Sequence, residues 1–252
     1  MKIVTDGIVI REQMVRDADK IVDILTRDNG IVHAYAAGAK NIKNPKSTAT
    51  GLLTYSQFVF YRGKEKYIVD EASAKEVFIG LRTDIDKLAL AQYFCELAGA
   101  VVQEEERAEE QLRLFLNSIY ILSKDVISAA QLKAIFELRL MALSGFTPDL
   151  IGCAECRCYE HKNMSFFPDD GVILCGDCAG AVPKSHITTG LGATAAMRHC
   201  IYSKFDDLFN FTIKNTPLDN FAKAAEQYTL AQTDKIFATL DFYKTISNTV
   251  KT

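Results

Sequence analysis

Four cysteines constrain this chain more than any other feature. They stand as Cys153-x2-Cys156-x18-Cys175-x2-Cys178, and two Cys-x2-Cys knuckles at that separation match the four-cysteine zinc pattern. Each knuckle lets two thiolates hold one ion. The 18-residue insert, with Met164, Ser165, Phe166 and Phe167 ahead of the turn Asp169-Asp170-Gly171, is long enough for a hairpin. Four thiolates fill a tetrahedron and leave no position for water or substrate, so the pattern implies one structural Zn2+ and argues against metal catalysis. Five of the seven cysteines fall between Cys153 and Cys178, which suits a metal better than a secreted disulfide framework. Other readings of these residues compete. Cys153 and Cys156 as a redox pair lack the βαβ surroundings of a thioredoxin-like motif. Cys158 and His161 stand near enough to substitute as ligands. The deaminase pattern is absent, because Lys162 and Asn163 follow His161. Cys95 and Cys200 read as core fillers.

Upstream of the cysteines the period of the sequence changes once, near residue 80. Before it, Lys2 to Arg11, Lys20 to Arg27, Ile31 to Ala36, Leu52 to Tyr61 and Glu65 to Ala74 are short segments rich in β-branched and aromatic residues, which predicts five strands and a small barrel over residues 1–80. Asp28-Asn29-Gly30 and Arg62-Gly63-Lys64 supply the turns of two antiparallel hairpins. Gly38 to Thr50 has no apolar periodicity and reads as a long loop.

Residues 81–252 read as helical. Ile85, Leu88, Ala91, Cys95, Ala98 and Val102 mark one helix, Leu112, Phe115, Leu116, Ile119 and Leu122 a second. A third, with Ser128 as N-cap, carries Leu132 to Leu143 and stops at Gly145. Three consecutive helices predict a bundle. The cysteine module occupies 151–182, and further helices are expected over Thr189 to Tyr202, Phe205 to Ile213 and Leu218 to about Lys244. The fold class is therefore multidomain α+β.

Charge is informative only when it is divided. The whole chain carries 29 basic and 32 acidic residues, a net −3. Residues 1–80 hold 12 basic and 10 acidic side chains, residues 81–252 hold 17 and 22. Within 38–66, Lys40, Lys43, Lys46, Arg62, Lys64 and Lys66 face the single acid Glu65. In a five-stranded barrel such loops flank a groove in which cations track phosphates and aromatics stack on bases. Candidate stackers are Tyr35, Tyr55, Phe58, Phe60, Tyr61 and Tyr67, although alternation sends about half of them into the core. A solvated basic face is the competing reading.

Glu104-Glu105-Glu106 with Glu109 and Glu110 reads as the solvated start of a helix, placed to favour its positive dipole end. Gly190-Leu191-Gly192-Ala193 lacks the preceding strand and the following Lys-Ser/Thr of a phosphate loop. No nucleophile is paired with a base, so an enzyme is not expected. The longest run free of charge, Ser47 to Tyr61, has 15 residues and is too short and polar to span a bilayer. Asp6 interrupts any secretory h-region, so the expected compartment is the cytoplasm.

The order of Gly7-Ile8-Val9-Ile10, Asp19 to Thr26, Ala37-Gly38-Ala39-Lys40, Phe136 to Phe146 and Pro148-Asp149-Leu150, running into Cys153-x2-Cys156, resembles the bacterial recombination mediators of the RecO family. The resemblance spans almost the whole chain. It implies an N-terminal OB-fold and a helical domain with a four-cysteine zinc module. It also implies binding of single- and double-stranded DNA, strand annealing, association with RecR, and recognition of the acidic tail of the single-stranded-DNA-binding protein (SSB), so that RecA loads on coated strands in the RecFOR pathway. The setting it implies is cytoplasmic and nucleoid-associated. Carried onto this chain, the basic positions are Lys40, then Lys43 and Lys46. An acidic, aromatic-ended tail would seek an apolar groove with a cation at its rim, and the helix from Ser128 to Ser144 offers Phe136 and Leu140 beside Lys133 and Arg139. Two positions depart from the family: Arg157 stands where Gly is usual, and Asp170-Gly171 where Gly-Gly is frequent. They put the loop geometry in doubt, not the four ligands. The alternative function is a zinc-ribbon adaptor that binds protein partners and does not anneal DNA.

Overall fold

The computed structural model describes residues 2–15, 18–63 and 66–249. They divide into two compact units. The first runs to Lys124 and takes up the chain again from Phe237, and the second is Asp125–Ile236.

In the first unit, β1 (Lys2–Val15), β2 (Asp19–Thr26), β3 (Gly30–Ala36), β4 (Thr54–Arg62) and β5 (Tyr67–Val77) form one sheet. Its order is β1-β2-β3-β5-β4, with β4 returning to β1 through pairs from Lys2↔Tyr61 to Ile8↔Tyr55. The β2–β3 and β4–β5 hairpins are antiparallel, as the turn residues predict. The β3–β5 seam is different. It is parallel and only two pairs long, Ala34↔Tyr67 and Tyr35↔Ile68. Each of the five strands thus pairs with two neighbours, and the sheet closes on itself at this short parallel seam. Val9, Val22, Ile24, Val32, Phe58, Phe60 and Val69 fill its interior.

Ile8 and Ile10 point away from that interior yet are buried too. Helices cover this face: α3 (Ile85–Val101) and α4 (Glu109–Lys124) both pack on β1 and β2. Two short helices precede them, α1 (Lys46–Ala49) inside the expected loop and α2 (Ile79–Arg82). The division at residue 80 therefore marks a change of secondary structure, while packing carries on past it.

The second unit contains α5 (Ala129–Leu143), the small sheet β6 (Ser165–Phe167), β7 (Val172–Leu174) and β8 (Ile187–Thr188), and helices α6 (Gly176–Ala179), α7 (Gly190–Tyr202) and α8 (Asn215–Thr233). The hairpin expected between the knuckles is β6–β7. α5, α7 and α8 pack on one another, so the three consecutive helices of the sequence do not make one bundle: α3 and α4 lie on the N-terminal sheet and α5 joins later helices. Two helical spans are corrected. Phe205 to Ile213 forms only a single 3-10 turn, Phe205–Asp207. Leu218 to Lys244 breaks at Asp234, whose left-handed backbone (φ 48°) ends α8, and the chain restarts as α9 (Ala238–Thr249) in the first unit. There α9 packs on α3, with the Thr239 N–H donating to Glu96 Oε2 at 3.0 Å and Phe237 edge-on to Tyr93 at 5.8 Å. No helix among the described residues is long and apolar enough to cross a membrane.

Candidate functional site

The second unit brings Cys153, Cys156, Cys175 and Cys178 together, with all four sulfurs within 4.8 Å of one another. Local chain geometry does this. The Cys153 N–H donates to the Cys158 carbonyl at 2.9 Å and the Arg157 N–H to the Cys153 carbonyl at 2.9 Å, closing the first knuckle. The Ala154 N–H donates to the Ile173 carbonyl on β7, which fixes that knuckle against the strand leading into the second. The donor set suits a thiophilic metal. Burial opposes ionisation of Cys153, but N–H donors from Cys156, Cys175 and Glu155 outweigh it and bring its thiol down to about 6. The N–H of Cys178 likewise lowers Cys175. Such N–H···S contacts favour thiolates at these two positions, the form that binds metal, whereas the contact with Cys175 pushes the Cys178 thiol up.

Cys158 and His161 stand outside this group. The thiol of Cys158 is pushed up by burial and by its contacts with Cys156 and Cys175. His161 Nδ1 accepts the Gly176 N–H at 3.1 Å, so it braces the second knuckle. Arg157 takes a left-handed backbone (φ 63°); the position at which the chain departs from the family pattern has the conformation glycine adopts most cheaply. Gly171 (φ 66°) makes the β6–β7 turn. Cys95 and Cys200 are buried thiols, both pushed up by desolvation.

The basic cluster lies in the first unit. Residues 38–50 are ordered by polar side chains, their own and one from β2: Asn41 Oδ1 accepts the Lys43 N–H, Asn44 Oδ1 accepts the Lys46 N–H, both at 3.0 Å, and Asp19 Oδ1 accepts the Gly38 N–H at 2.8 Å. Lys40 and Lys43 are exposed. Lys46 is half-buried and its Nζ donates to the Val69 carbonyl of β5 at 3.3 Å, which brings the loop to the strand that starts beside Arg62 and Lys66. Lys64 lies outside the described residues. At the start of β5 is a cleft of about 390 Å³ lined by Tyr35, Tyr67, Arg62, Lys66, His33 and Glu104, among others. Of the aromatic candidates, Phe58 and Phe60 are core residues stacked on each other. Tyr61 is exposed and Tyr35, Tyr55 and Tyr67 are half-buried.

Sequence reasoning missed the part played by four residues. Ile42, at the tip of the loop between Lys40 and Lys43, is 93% exposed. His33 stands in the cleft with Nδ1 2.6 Å from Asp23 Oδ1. Glu104 and Glu105 do not begin a helix. They precede it and enter the same cleft, Glu105 Oε1 lying 2.5 Å from Arg62 Nη2. Glu109 and Glu110 do occupy the first turn of α4. A period-based reading could not find the first two acids, because their contacts are set by the turn at residues 27–31.

The tail groove expected on α5 is corrected. Phe136 and Leu140 are fully buried and Lys133 is 5% exposed, its Nζ held between Glu137 at 2.7 Å and Glu226 at 2.9 Å. Arg139 donates to the carbonyls of Cys200 and Ile201. α5 is apolar on nearly all sides because α7 and α8 pack around it. A groove does open elsewhere in this unit, about 490 Å³, over Gly192, Ala196, His199, Phe211, Lys214 and Pro217.

Comparison with known proteins places most of the chain in matched ranges. Residues 1–78 match the family model for the recombination protein O N terminal and residues 82–236 that for the recombination protein O C terminal. The chain is 33% identical over 242 residues to a DNA repair protein RecO of Acetivibrio thermocellus, covering 96% of each. It is 30% identical over 244 residues to that of Symbiobacterium thermophilum, again covering 96% of each.

Proposed function

The chain belongs to the recombination protein O (RecO) family of DNA repair proteins, and from that membership we propose that it is a mediator that binds single- and double-stranded DNA, anneals complementary strands and, with RecR, helps RecA load onto SSB-coated strands. It acts in the cytoplasm, at the nucleoid, and without catalysing a reaction. One observation carries the reading: a cleft at the start of β5 gathers Arg62, Lys66, Tyr35 and Tyr67, and the loop presenting Lys40 and Lys43 is tied to the same strand by Lys46. We read the sheet as an OB-fold, whose short parallel seam suits the partly open form of that fold. Cations hold one strand by its phosphates and reduce its repulsion for a complement, while the base edges stay free to pair.

The four cysteines would hold Zn2+, which supplies structure and no open coordination position. The SSB tail would use the groove with Lys214 at its rim.

Annealing of complementary oligonucleotides without nucleotide cofactor tests the proposal. Affinity for single strands should fall with salt by about 0.7 log units per log unit for each phosphate neutralised, so six cations set a ceiling near a slope of about −4. Changing Lys40, Lys43 and Lys46 together to Glu should abolish annealing. Unchanged affinity and slope in that variant would favour the protein-binding adaptor. Because Lys46 also bonds the Val69 carbonyl, the Lys40→Glu/Lys43→Glu pair separates DNA contact from loop stability.

A further inference from the structure

The backbone holds the acids of the cleft in place. The Ile31 N–H donates to the Gln103 carbonyl at 3.2 Å, the Glu105 N–H to the Asn29 carbonyl at 3.0 Å and the Ala108 N–H to the Arg27 carbonyl at 2.9 Å. This docking requires Gly30, where a Cβ would sit 1.8 Å from the Gln103 carbonyl oxygen. Glu105 itself is left-handed, φ 62°, a conformation unfavourable for a residue with its side chain. The outcome is a carboxylate 2.5 Å from Arg62 Nη2 and a second, on Glu104, 3.3 Å from His33 Nε2.

We propose that Glu104 and Glu105 are an intramolecular phosphate mimic that occupies the Arg62/His33 end of the cleft and competes with nucleic acid for it. This rests on the reading of the cleft as a DNA site. A carboxylate offers a guanidinium the same acceptor pair that a phosphodiester does. Arg62 and Glu105 are 51% and 60% exposed, so their pair is weak and screened by salt. A polyanion can displace it, which a buried pair would resist. When DNA takes Arg62, the released carboxylate recovers a cation from solution, and the net counterion release at that position is cancelled. The mimic therefore lowers affinity and flattens the salt dependence, and it favours strand release after pairing.

The test uses the full chain and a labelled single strand of about 30 nucleotides, enough to cover the roughly 4–16-nucleotide site of one such barrel, with anisotropy read across a salt series. Glu104→Gln/Glu105→Gln should bind about three- to tenfold more tightly at low salt, up to about fivefold for each pair removed, with a slope steeper by about 0.7. In an Arg62→Gln background the Glu105→Gln change should have no effect. Circular dichroism verifies that the Gln variants, which keep side-chain size, are folded. Unchanged or weaker binding by the double variant, with the parent binding normally, overturns the mimic alone. Equal tightening with and without Arg62 also overturns it, since that is a general field effect. If neither protein binds at any salt, the DNA reading falls and the mimic with it.

Discussion

The guanidinium of Arg198 lies 4.0 Å from the centre of the Tyr159 ring, and its Nη2 donates to the Tyr159 carbonyl at 2.6 Å. Its Nε also reaches the Leu150 carbonyl at 2.7 Å. One side chain on α7 thus ties both ends of the first cysteine knuckle to the helical body. Arg198→Ala should destabilise this unit by about 2–4 kcal/mol, because it removes charged hydrogen bonds and a cation–π interaction in one step. Release of bound metal to a chromogenic chelator should quicken. Arg198→Lys should recover little, because an ammonium cannot span these acceptors in one plane. Parent-like release in both variants would refute the tie.

Metal removal should act on the second unit alone. The N-terminal sheet has its own apolar interior, whereas the two knuckles bring four sulfurs within 4.8 Å of one another, thiolates that repel when no cation is bound. Elemental analysis should give one metal per chain, and chelation, or Cys175→Ser, should lower the melting temperature while leaving single-strand affinity intact. Acidification should act in the same direction. The Cys153 thiol is depressed to about 6, so its own contribution to stability is complete at alkaline pH and is lost as pH falls through that value, and a bound metal would carry that loss to lower pH.

Much of this was legible in the sequence for identifiable reasons. The cysteine spacing is a short-range constraint, so the convergence of the four cysteines and the β6–β7 hairpin could be read directly. Strand and helix types followed from periods of two and about 3.6. The positions that escaped depend on long-range packing. Nothing local says that Phe136 and Leu140 face the interior, since a helix apolar all round has no distinguishable outer face. Asp234 ends α8 through one left-handed residue that periodicity does not register. Glu105 meets Arg62 across 43 residues, a contact made by the turn at Gly30.

Arg157→Gly should stabilise the knuckle. The residue sits at φ 63°, which costs a side-chain-bearing residue about 1–2 kcal/mol, partly offset by the greater freedom of glycine in the unfolded chain. A net gain of about 0.5–1 kcal/mol is expected from those two opposing costs, seen as a higher denaturation midpoint of the metal-bound protein. Arg157→Ala, which keeps the strain, should give none of it.

Lys133 should matter to stability. It is the cation between Glu137, fully buried, and Glu226, and burial and these two carboxylates act on it in opposite senses, with the acids prevailing to raise its pKa. Removing one partner from a buried ionic cluster costs about 3–5 kcal/mol. Lys133→Ala should therefore lower the melting temperature on the order of 10 °C.

The groove beside α7 makes the last expectation specific. Ala196 and Gly192 give it a floor without bulky side chains, Phe211 walls it, its ring 4.9 Å from His199, and Lys214 is exposed at its rim. An acidic peptide ending in Phe could seat its ring on that floor and its carboxylates at Lys214, contacts that α5 cannot offer from the interior. Lys214→Glu should weaken a fluorescent peptide of this kind about tenfold or more, since it replaces attraction by repulsion at a partly desolvated contact. Gly192→Leu should block it sterically, because even a Cβ at this position would sit 3.1 Å from the Pro217 Cβ and the rest of the side chain would fill the floor. Parent-like affinity in both folded variants would place the tail on another surface.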